Sequence, residues 1–255
     1  MAEPRLAERA AALPGALFGS LLDWFYPRHC YHCGFHLHDG RARMLCKACA
    51  KELAADRIVG PMCVLCGLPF ARPSEDGSSS DKGGDALPAA GLQPGTLCIT
   101  CRAEKRHFDR ARAFVAYAGP ASSVIREFKF GGQFFLGPRF LDAMLDRGWM
   151  PADIKPAEFV VPVPLHPRRR RERGYDQALL LGKVFARRLG CKLLPGVLVR
   201  TRYTSQQALL PMVKRGDNVR GAFAVTKPAK VRQRRVLLVD DVLSATGLHC
   251  PHLLS

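Results

Sequence analysis

Acidic residues are scarce in this chain: 22 Asp and Glu stand against 39 Lys and Arg among its 255 residues, for a formal net charge of +17. This deficit of negative charge favours anionic partners, such as phosphates, nucleic acid or acidic lipid. With 47% hydrophobic and 24% charged residues the composition is globular, and the length suffices for one medium domain and a smaller one. The charge indicates the sign of a partner and not its identity.

The sequence also lacks a long uninterrupted apolar run. Its first residues include Glu3 and Glu8 and are interrupted by Pro14, which leaves an apolar stretch too short to span a membrane. They also lack the basic start, continuous apolar centre and cleavage site of a secretory signal. We therefore expect no membrane span, a cytoplasmic protein and a short amphipathic helix over residues 1–25. The docking face of that helix would consist of Leu17, Leu21, Leu22 and Trp24.

Cysteine, by contrast, is abundant and regularly spaced. Eight of the ten cysteines form four pairs with two residues between the members of each pair. In a tight turn this spacing points both sulfurs at one metal ion, and two such turns complete a structural zinc site. Without an export signal, zinc is favoured over disulfide-bonded or redox-active pairs. The pairs are Cys30 and Cys33, Cys46 and Cys49, Cys63 and Cys66, and Cys98 and Cys101.

Sequential pairing joins the first two pairs into one zinc site and the last two into another, although pairing of the first with the third stays open. Four thiolates leave no open coordination position, so we expect structural zinc whose binding supplies folding energy. Nearby histidines are alternative ligands, but surface positions are expected for them. These histidines are His29, His32, His36 and His38.

A segment rich in Gly, Ser, Pro and Asp, residues 71–95, separates the third and fourth cysteine pairs. Few of its side chains can pack, so the composition predicts a flexible insertion. Because the entropy of loop closure rises slowly with length, the second site tolerates it. A double zinc ribbon is therefore predicted for residues 26–107.

After Phe108 the composition changes, and strand and helix patterns alternate. This alternation predicts an α/β domain with a parallel sheet and right-handed crossovers. A strand followed by a turn is predicted within 111–119, and strands are predicted at 158–167 and 231–241. Helices are predicted at 122–132, with Ser122 or Ser123 near the cap, and at 175–190, closed by Gly190.

Two adjacent carboxylates, Asp240 and Asp241, follow the last predicted strand. In parallel sheets, ligands bind beyond the carboxyl ends of the strands. Such carboxylates can accept hydrogen bonds from a vicinal diol, coordinate magnesium, or cap the next helix. The two residues alone leave all three roles open.

Three sequence blocks behind the cysteine pairs carry a family resemblance: VVPVPLHPRRRRERGYDQA (160–178), LVRTRYTSQQALLPMVKRGDNVRGAF (198–223) and VLLVDDVL (236–243). In this order they resemble the ComF family of competence-associated, phosphoribosyltransferase-like proteins. The resemblance runs from about Trp24 to Leu243. It implies a type I phosphoribosyltransferase fold over residues 108–255, behind the double zinc ribbon.

The resemblance also implies a site for phosphoribosyl pyrophosphate with magnesium. Asp240 and Asp241 would hold the ribose hydroxyls, while a hood from Tyr203 to Arg220 would close over the ligand. In that hood, Gln206, Arg215, Asn218 and Arg220 match the family pattern. The 5-phosphate would lie in the turn of Ser244, Ala245, Thr246 and Gly247. The pyrophosphate would face His166, Arg168 and Arg173. No acceptor and no catalytic residue can be assigned.

The chain departs from the family pattern at its end. The family form DDVxTTGxT becomes DDVLSATGLH, which places Gly247 one residue later, and Pro251 would interrupt the next helix. We therefore expect a C-terminally incomplete domain, by truncation or altered reading frame, that folds less well than its relatives. Whether catalysis survives stays open.

The basic run Arg168–Arg173 has three interpretations: a solvated face, a pyrophosphate contact, or a nucleic-acid contact. The last follows from the family's link with uptake of single-stranded DNA. It leads to an alternative function, a non-catalytic zinc-ribbon adaptor for single-stranded DNA or competence proteins. Aromatic side chains that could stack on bases, although their spacing favours core packing, are Phe128, Phe130, Phe134 and Phe135.

Overall fold

The structure is a computed structural model that describes residues 29–37, 44–70, 95–154, 156–204 and 221–243. The predicted N-terminal helix, nearly all of the insertion, most of the hood, and the altered C-terminal segment lie outside these residues.

The described residues form helices joined to short strands. The helices are α1 (Lys47–Ala55), α2 (Ile99–Ala103), α3 (Gly119–Phe130), α4 (Leu136–Asp146), α5 (Pro167–Arg173) and α6 (Gln177–Leu189). The strands are β1 (Phe159–Pro162), β2 (Lys192–Leu193), β3 (Leu198–Arg200), β4 (Phe223–Val225) and β5 (Val236–Val239), with a 3-10 turn at Pro228–Lys230. No helix among them is both long and apolar enough to cross a membrane.

A parallel sheet of order β2-β1-β5 forms the centre of the second half of the chain. Val160 of β1 pairs with Leu193 on one side and Leu237 on the other, and its side chain is fully buried. The predicted α/β fold with a parallel sheet is therefore confirmed. Strands β3 and β4 pair antiparallel in a separate two-stranded sheet.

Helix α6 covers the parallel sheet and has the predicted end. Asp176 caps its start by accepting the N–H of Leu179 at 3.0 Å, and Gly190 ends it in the left-handed conformation, with φ of 65°. At Gly182 a Cβ atom would lie 3.1 Å from Leu193 Cδ1. The missing side chain therefore lets the helix lie close to the sheet.

The predictions for residues 111–132 need two corrections. The strand at 111–119 does not form, because Val115 makes only an isolated bridge to Arg57, where the chain leaves α1. Helix α3 begins earlier than predicted, at Gly119, with Pro120 in its first turn. Ser122 and Ser123 therefore lie inside the helix and do not cap it.

Two separate clusters of buried side chains hold the described residues together. The larger combines Cys30 and Cys49 with apolar residues of α3, α4 and α6. The smaller surrounds Cys63, Cys66, Cys98 and Cys101. The first cysteine group thus belongs to the main core, whereas the second has a core of its own. The domain boundaries at residues 25 and 107 stay predictions.

Candidate zinc centres and ligand site

The eight paired cysteines form two compact groups, each with its four sulfur atoms within 4.8 Å of one another. The groups join sequential pairs, so the interleaved pairing does not occur. Cys33 Sγ lies 3.7 Å from Cys46 Sγ, and Cys66 Sγ lies 3.7 Å from Cys98 Sγ. Zinc–sulfur bonds of about 2.3 Å give a tetrahedron with edges of about 3.8 Å, so the geometry fits zinc. We name the groups tetrad 1 (Cys30, Cys33, Cys46, Cys49) and tetrad 2 (Cys63, Cys66, Cys98, Cys101).

Backbone N–H groups aim at the sulfurs of both tetrads. The sulfur of Cys46 caps α1 by accepting the N–H of Cys49, and that of Cys98 caps α2 by accepting the N–H of Cys101. Burial opposes ionisation of Cys30, yet backbone N–H donors outweigh it and lower the pKa of this thiol to about 6. The same balance lowers the pKa of Cys63 to about 7. In each tetrad the backbone donors thus favour the thiolate form of one cysteine, which is the form that binds metal.

The tetrads differ in their exposure to solvent. Cys33 of tetrad 1 is exposed, whereas all four cysteines of tetrad 2 are buried. The three described histidines near tetrad 1 are exposed, as predicted, and have partners in the fold: the His32 Nδ1 atom lies 2.9 Å from Ser123 Oγ, and the rings of His29 and His36 meet edge to face. His38 lies outside the described residues. Zinc held by four thiols in these tetrads would have a structural role.

A buried arginine connects tetrad 2 to the second half of the chain. The Arg112 guanidinium donates to the carbonyl groups of Val64 and Leu65, between the first two cysteines of the tetrad. It also pairs with the carboxylate of Asp153, and its own side chain is only 6% exposed. One side chain thus fixes the third cysteine turn against residues 151–154.

The predicted acidic pair lies at the carboxyl end of β5, next to the end of β1. The N–H of Val163, just after β1, donates to Val239 O at 2.9 Å and keeps the two strand ends together. Asp240 Oδ1 accepts the N–H of Asp241 at 2.8 Å. Asp241 Oδ1 contacts Lys129 Nζ at 2.9 Å, with the two side chains 12% and 18% exposed.

The surroundings of Asp240, including the Asp241 carboxylate, disfavour its ionised form. Asp240 is exposed as a whole residue, and neighbouring protein atoms take part of the bulk water away from its carboxyl group. This removal from bulk water, followed by repulsion from the Asp241 carboxylate, raises the pKa of Asp240 to about 7. The positive charges of Lys129 and Arg200 act in the opposite direction but are outweighed.

The predicted pyrophosphate residues divide into two groups. Arg173 lies close enough for its charge to interact with that of Asp241; burial lowers the pKa of Arg173, and the carboxylate opposes this shift. His166 instead caps α5 by accepting the N–H of Arg168 at 3.2 Å, and its ring meets that of Tyr203 at 5.1 Å. The Arg168 guanidinium lies 5.2 Å from the centre of the same Tyr203 ring. The start of the predicted hood therefore packs on the loop after β1.

Other predicted site residues lie outside the described part of the chain: Ser244, Ala245, Thr246, Gly247, Gln206, Arg215, Asn218 and Arg220. Sequence reasoning missed Lys129 and Arg200, because a single lysine in a helix and a single arginine in a strand carry no local signal. The expectation of core packing holds for Phe128, which is buried, but not for Phe130 and Phe134, which are 63% and 57% exposed. Phe135 is half-buried.

Comparison with known proteins agrees with this arrangement. Residues 21–82 match the family model of the double zinc ribbon domain. The chain is 28% identical over 225 residues to competence protein F of Haemophilus influenzae, with 86% of each chain covered. It is 26% identical over 221 residues to the DNA utilization protein YhgH of Escherichia coli, again with 86% of each covered, and 27% identical over 203 residues to that of Salmonella typhimurium, with 78% of each covered. No solved structure is significantly similar.

Fold and tetrads together define a class: a double zinc ribbon followed by an α/β domain with a parallel sheet. Within this class the resemblance seen in the sequence is confirmed by the similarity to competence protein F and its relatives. Over most of its length the chain is therefore similar to proteins of the kind that the ComF resemblance implied.

Proposed function

We propose that this chain binds phosphoribosyl pyrophosphate with magnesium at the carboxyl ends of β1 and β5, and acts in DNA uptake or utilisation. The observation that carries the proposal is the pair Asp240 and Asp241, which lies at this edge with the cations Lys129, Arg173 and Arg200 near it. A site with both carboxylates and cations suits a ligand that has both hydroxyl groups and phosphates.

In this proposal the carboxylates accept the ribose hydroxyls, and Arg173 is the nearest predicted contact for the pyrophosphate. Magnesium would neutralise part of the pyrophosphate charge when the ligand is bound. The turn from Ser244 to Gly247 would offer backbone N–H groups to the 5-phosphate. Transfer of ribose phosphate by displacement at the anomeric carbon would depend mainly on positioning and charge stabilisation.

The biological setting comes from the relatives. One is named a competence protein and others DNA utilization proteins, and they cover most of this chain. We place the function in the cytoplasm, where thiols stay reduced and available to zinc.

Calorimetric titration of the zinc-loaded chain with phosphoribosyl pyrophosphate and magnesium tests the proposal. We expect binding by the wild-type chain and none by Asp240→Ala or Asp241→Ala. Glu158→Gln is the matched control, because Glu158 precedes β1 at the opposite end of the sheet, where it pairs with Arg234. Absence of binding by a folded wild-type chain, or unchanged binding by both alanine variants, contradicts the proposal.

A second candidate is the adaptor function, in which the chain binds single-stranded DNA without catalysis. The exposed rings of Phe130 and Phe134 favour it, because exposed aromatic rings beside cations can stack on bases. The Arg173 guanidinium lies 5.0 Å from the centre of the Phe130 ring. Salt-dependent binding of a thymidine oligomer that is weakened in a Phe130→Ala, Phe134→Ala variant would support this function. Equal affinity of the wild-type chain and this double variant for the oligomer would contradict it.

A further inference from the structure

The ion pair between Lys129 and Asp241 is mostly removed from solvent. Its atoms lie 2.9 Å apart, and the side chains are 18% and 12% exposed. Desolvation offsets most of the attraction in a buried pair, so such pairs contribute little net stability compared with apolar residues of similar size. A contribution to the stability of the fold therefore does not by itself explain why residue 129 is a lysine.

The helix that carries Lys129 is held firmly along its length. Val124 and Phe128 are buried in the main core, and Ser123 Oγ lies 2.9 Å from His32 of tetrad 1's first turn. The Tyr175 hydroxyl donates to the carbonyl of Phe128, one residue before Lys129. The backbone at Lys129 is thus fixed, and the last turn of α3 brings the ammonium group to the strand ends.

The other cations near the acidic pair have different attachments. Arg173 donates to Gln177 Oε1 at 3.1 Å and lies over the Phe130 ring. Arg200 donates to the Thr204 hydroxyl and lies over the Phe223 ring. In the described part of the chain, Lys129 is the cation within ion-pair distance of Asp241. Its contact engages the Oδ1 atom of Asp241.

Resting on the proposed function, we propose that Lys129 is a positioning residue of the ligand site, whose ammonium group holds the Asp241 carboxylate so that it accepts a ribose hydroxyl. A charge-assisted hydrogen bond fixes a carboxylate more firmly than a neutral one does. Lys129 acts through Asp241 and need not touch the ligand.

Binding of phosphoribosyl pyrophosphate with magnesium to the zinc-loaded full chain is the first measurement. Lys129→Met removes the charge at similar length, and Lys129→Arg keeps the charge. We expect the methionine variant to bind about tenfold more weakly or worse, as for a lost charge-assisted hydrogen bond, and the arginine variant to recover most of the affinity. Lys183→Met is the matched control, because Lys183 is an exposed lysine within α6.

The second measurement needs no ligand. Carbon NMR follows the pH titration of the Asp240 carboxyl group in the same variants. Asp240 faces the charges of Asp241, Lys129 and Arg200, and Asp241 faces Lys129 and Arg173. Loss of the lysine charge should raise the titration midpoint of Asp240 in Lys129→Met, and Lys129→Arg should restore it.

The combined outcomes separate the two claims. If the wild-type chain does not bind the ligand but the midpoint rises in Lys129→Met, the proposed function fails and the control of the acidic pair by Lys129 stands. If the chain binds and the methionine variant binds equally well, the positioning role is overturned. It is also overturned if affinity falls while the midpoint stays unchanged, since Lys129 would then act directly on the ligand. An unchanged midpoint in a chain that does not bind overturns both claims.

Discussion

At the scale of single residues, the surroundings of Asp240 disfavour its charged form, although the proposed function uses this carboxyl group to bind a ligand. Asp240 loses part of its hydration to neighbouring protein atoms and lies beside a second carboxylate, and both effects disfavour its charged form. An aspartate in such surroundings weakens the fold at neutral pH, while titratable groups with strongly shifted pKa values are concentrated at functional sites.

These surroundings predict a pH-dependent gain in stability for Asp240→Asn. The pKa of Asp240 rises from 3.8 in an ordinary setting to about 7 in the fold. Between these values the folded chain holds a proton that the unfolded chain has released, so the wild-type chain loses stability as pH rises through this interval. Asparagine cannot ionise. Its advantage in melting temperature should therefore grow from about pH 5 to about pH 7 and then level off.

Thermal unfolding of both chains across this interval measures the difference. Asp142→Asn serves as the control, because its arginine partners lower the pKa of Asp142, although burial opposes them. That variant should show no such gain. An advantage of Asp240→Asn that stays constant from about pH 5 to about pH 8 would contradict the raised pKa.

At the scale of elements, the close contact of α3 and α4 determines where the end of α3 lies. Gly137, in the first turn of α4, packs directly against the Phe128 ring, which is 2% exposed. Lys129 follows Phe128 in the chain. The spacing of the two helices therefore affects the residue that contacts Asp241.

Gly137→Ala tests this spacing. A Cβ atom at this position would lie 2.4 Å from two ring carbons of Phe128, so either the ring or the helix must move. Alanine normally favours a helix over glycine by up to about 1 kcal/mol, but overpacking costs about 1–3 kcal/mol. We expect net destabilisation, measured by denaturant unfolding. Gly132→Ala is not a suitable comparison, because Gly132 has φ of 70° and would be strained for another reason. Ala143→Gly, a change of helix propensity at a partly buried site in α4, provides the reference instead.

At the scale of the whole molecule, the two tetrads should contribute unequally to the stability of the α/β part of the chain. Tetrad 1 shares the main core with α3, α4 and α6, whereas tetrad 2 has its own small core. Metal binding contributes folding energy wherever its ligands are part of a core. Loss of zinc from tetrad 1 should therefore weaken the α/β part of the chain, whereas loss from tetrad 2 should remain more local.

Cys30→Ser and Cys63→Ser compare the tetrads directly, since each substitution removes the first cysteine of one group. We expect Cys30→Ser to lower the melting temperature by roughly 10 °C or more and to speed hydrogen exchange in α3 and β1. Cys63→Ser should speed exchange around Cys98 and Cys101 and leave β1 protected. Zinc content, measured for each variant, verifies that a single site is lost. Equal loss of protection at β1 in both variants would show that the two cores unfold together.

Several features follow from the sequence by itself, because they depend on short-range spacing or on periodicity. The spacing of the cysteine pairs predicted metal-binding turns, and the alternation of strands and helices predicted the parallel sheet. The end of α6 at Gly190 and the position of the acidic pair after a strand were also predicted correctly. In each case the residues that determine the feature are neighbours in the chain.

The tertiary structure decided what depends on residues distant in the chain. It selected sequential pairing of the cysteines, brought Lys129 to Asp241, and exposed Phe130 and Phe134 while burying Phe128. It also turned Ser123 from a predicted cap into the partner of His32. Such contacts depend on how the helices pack on the sheet and on the ribbons. Local sequence patterns do not predict that packing, because it joins residues that are far apart in the chain.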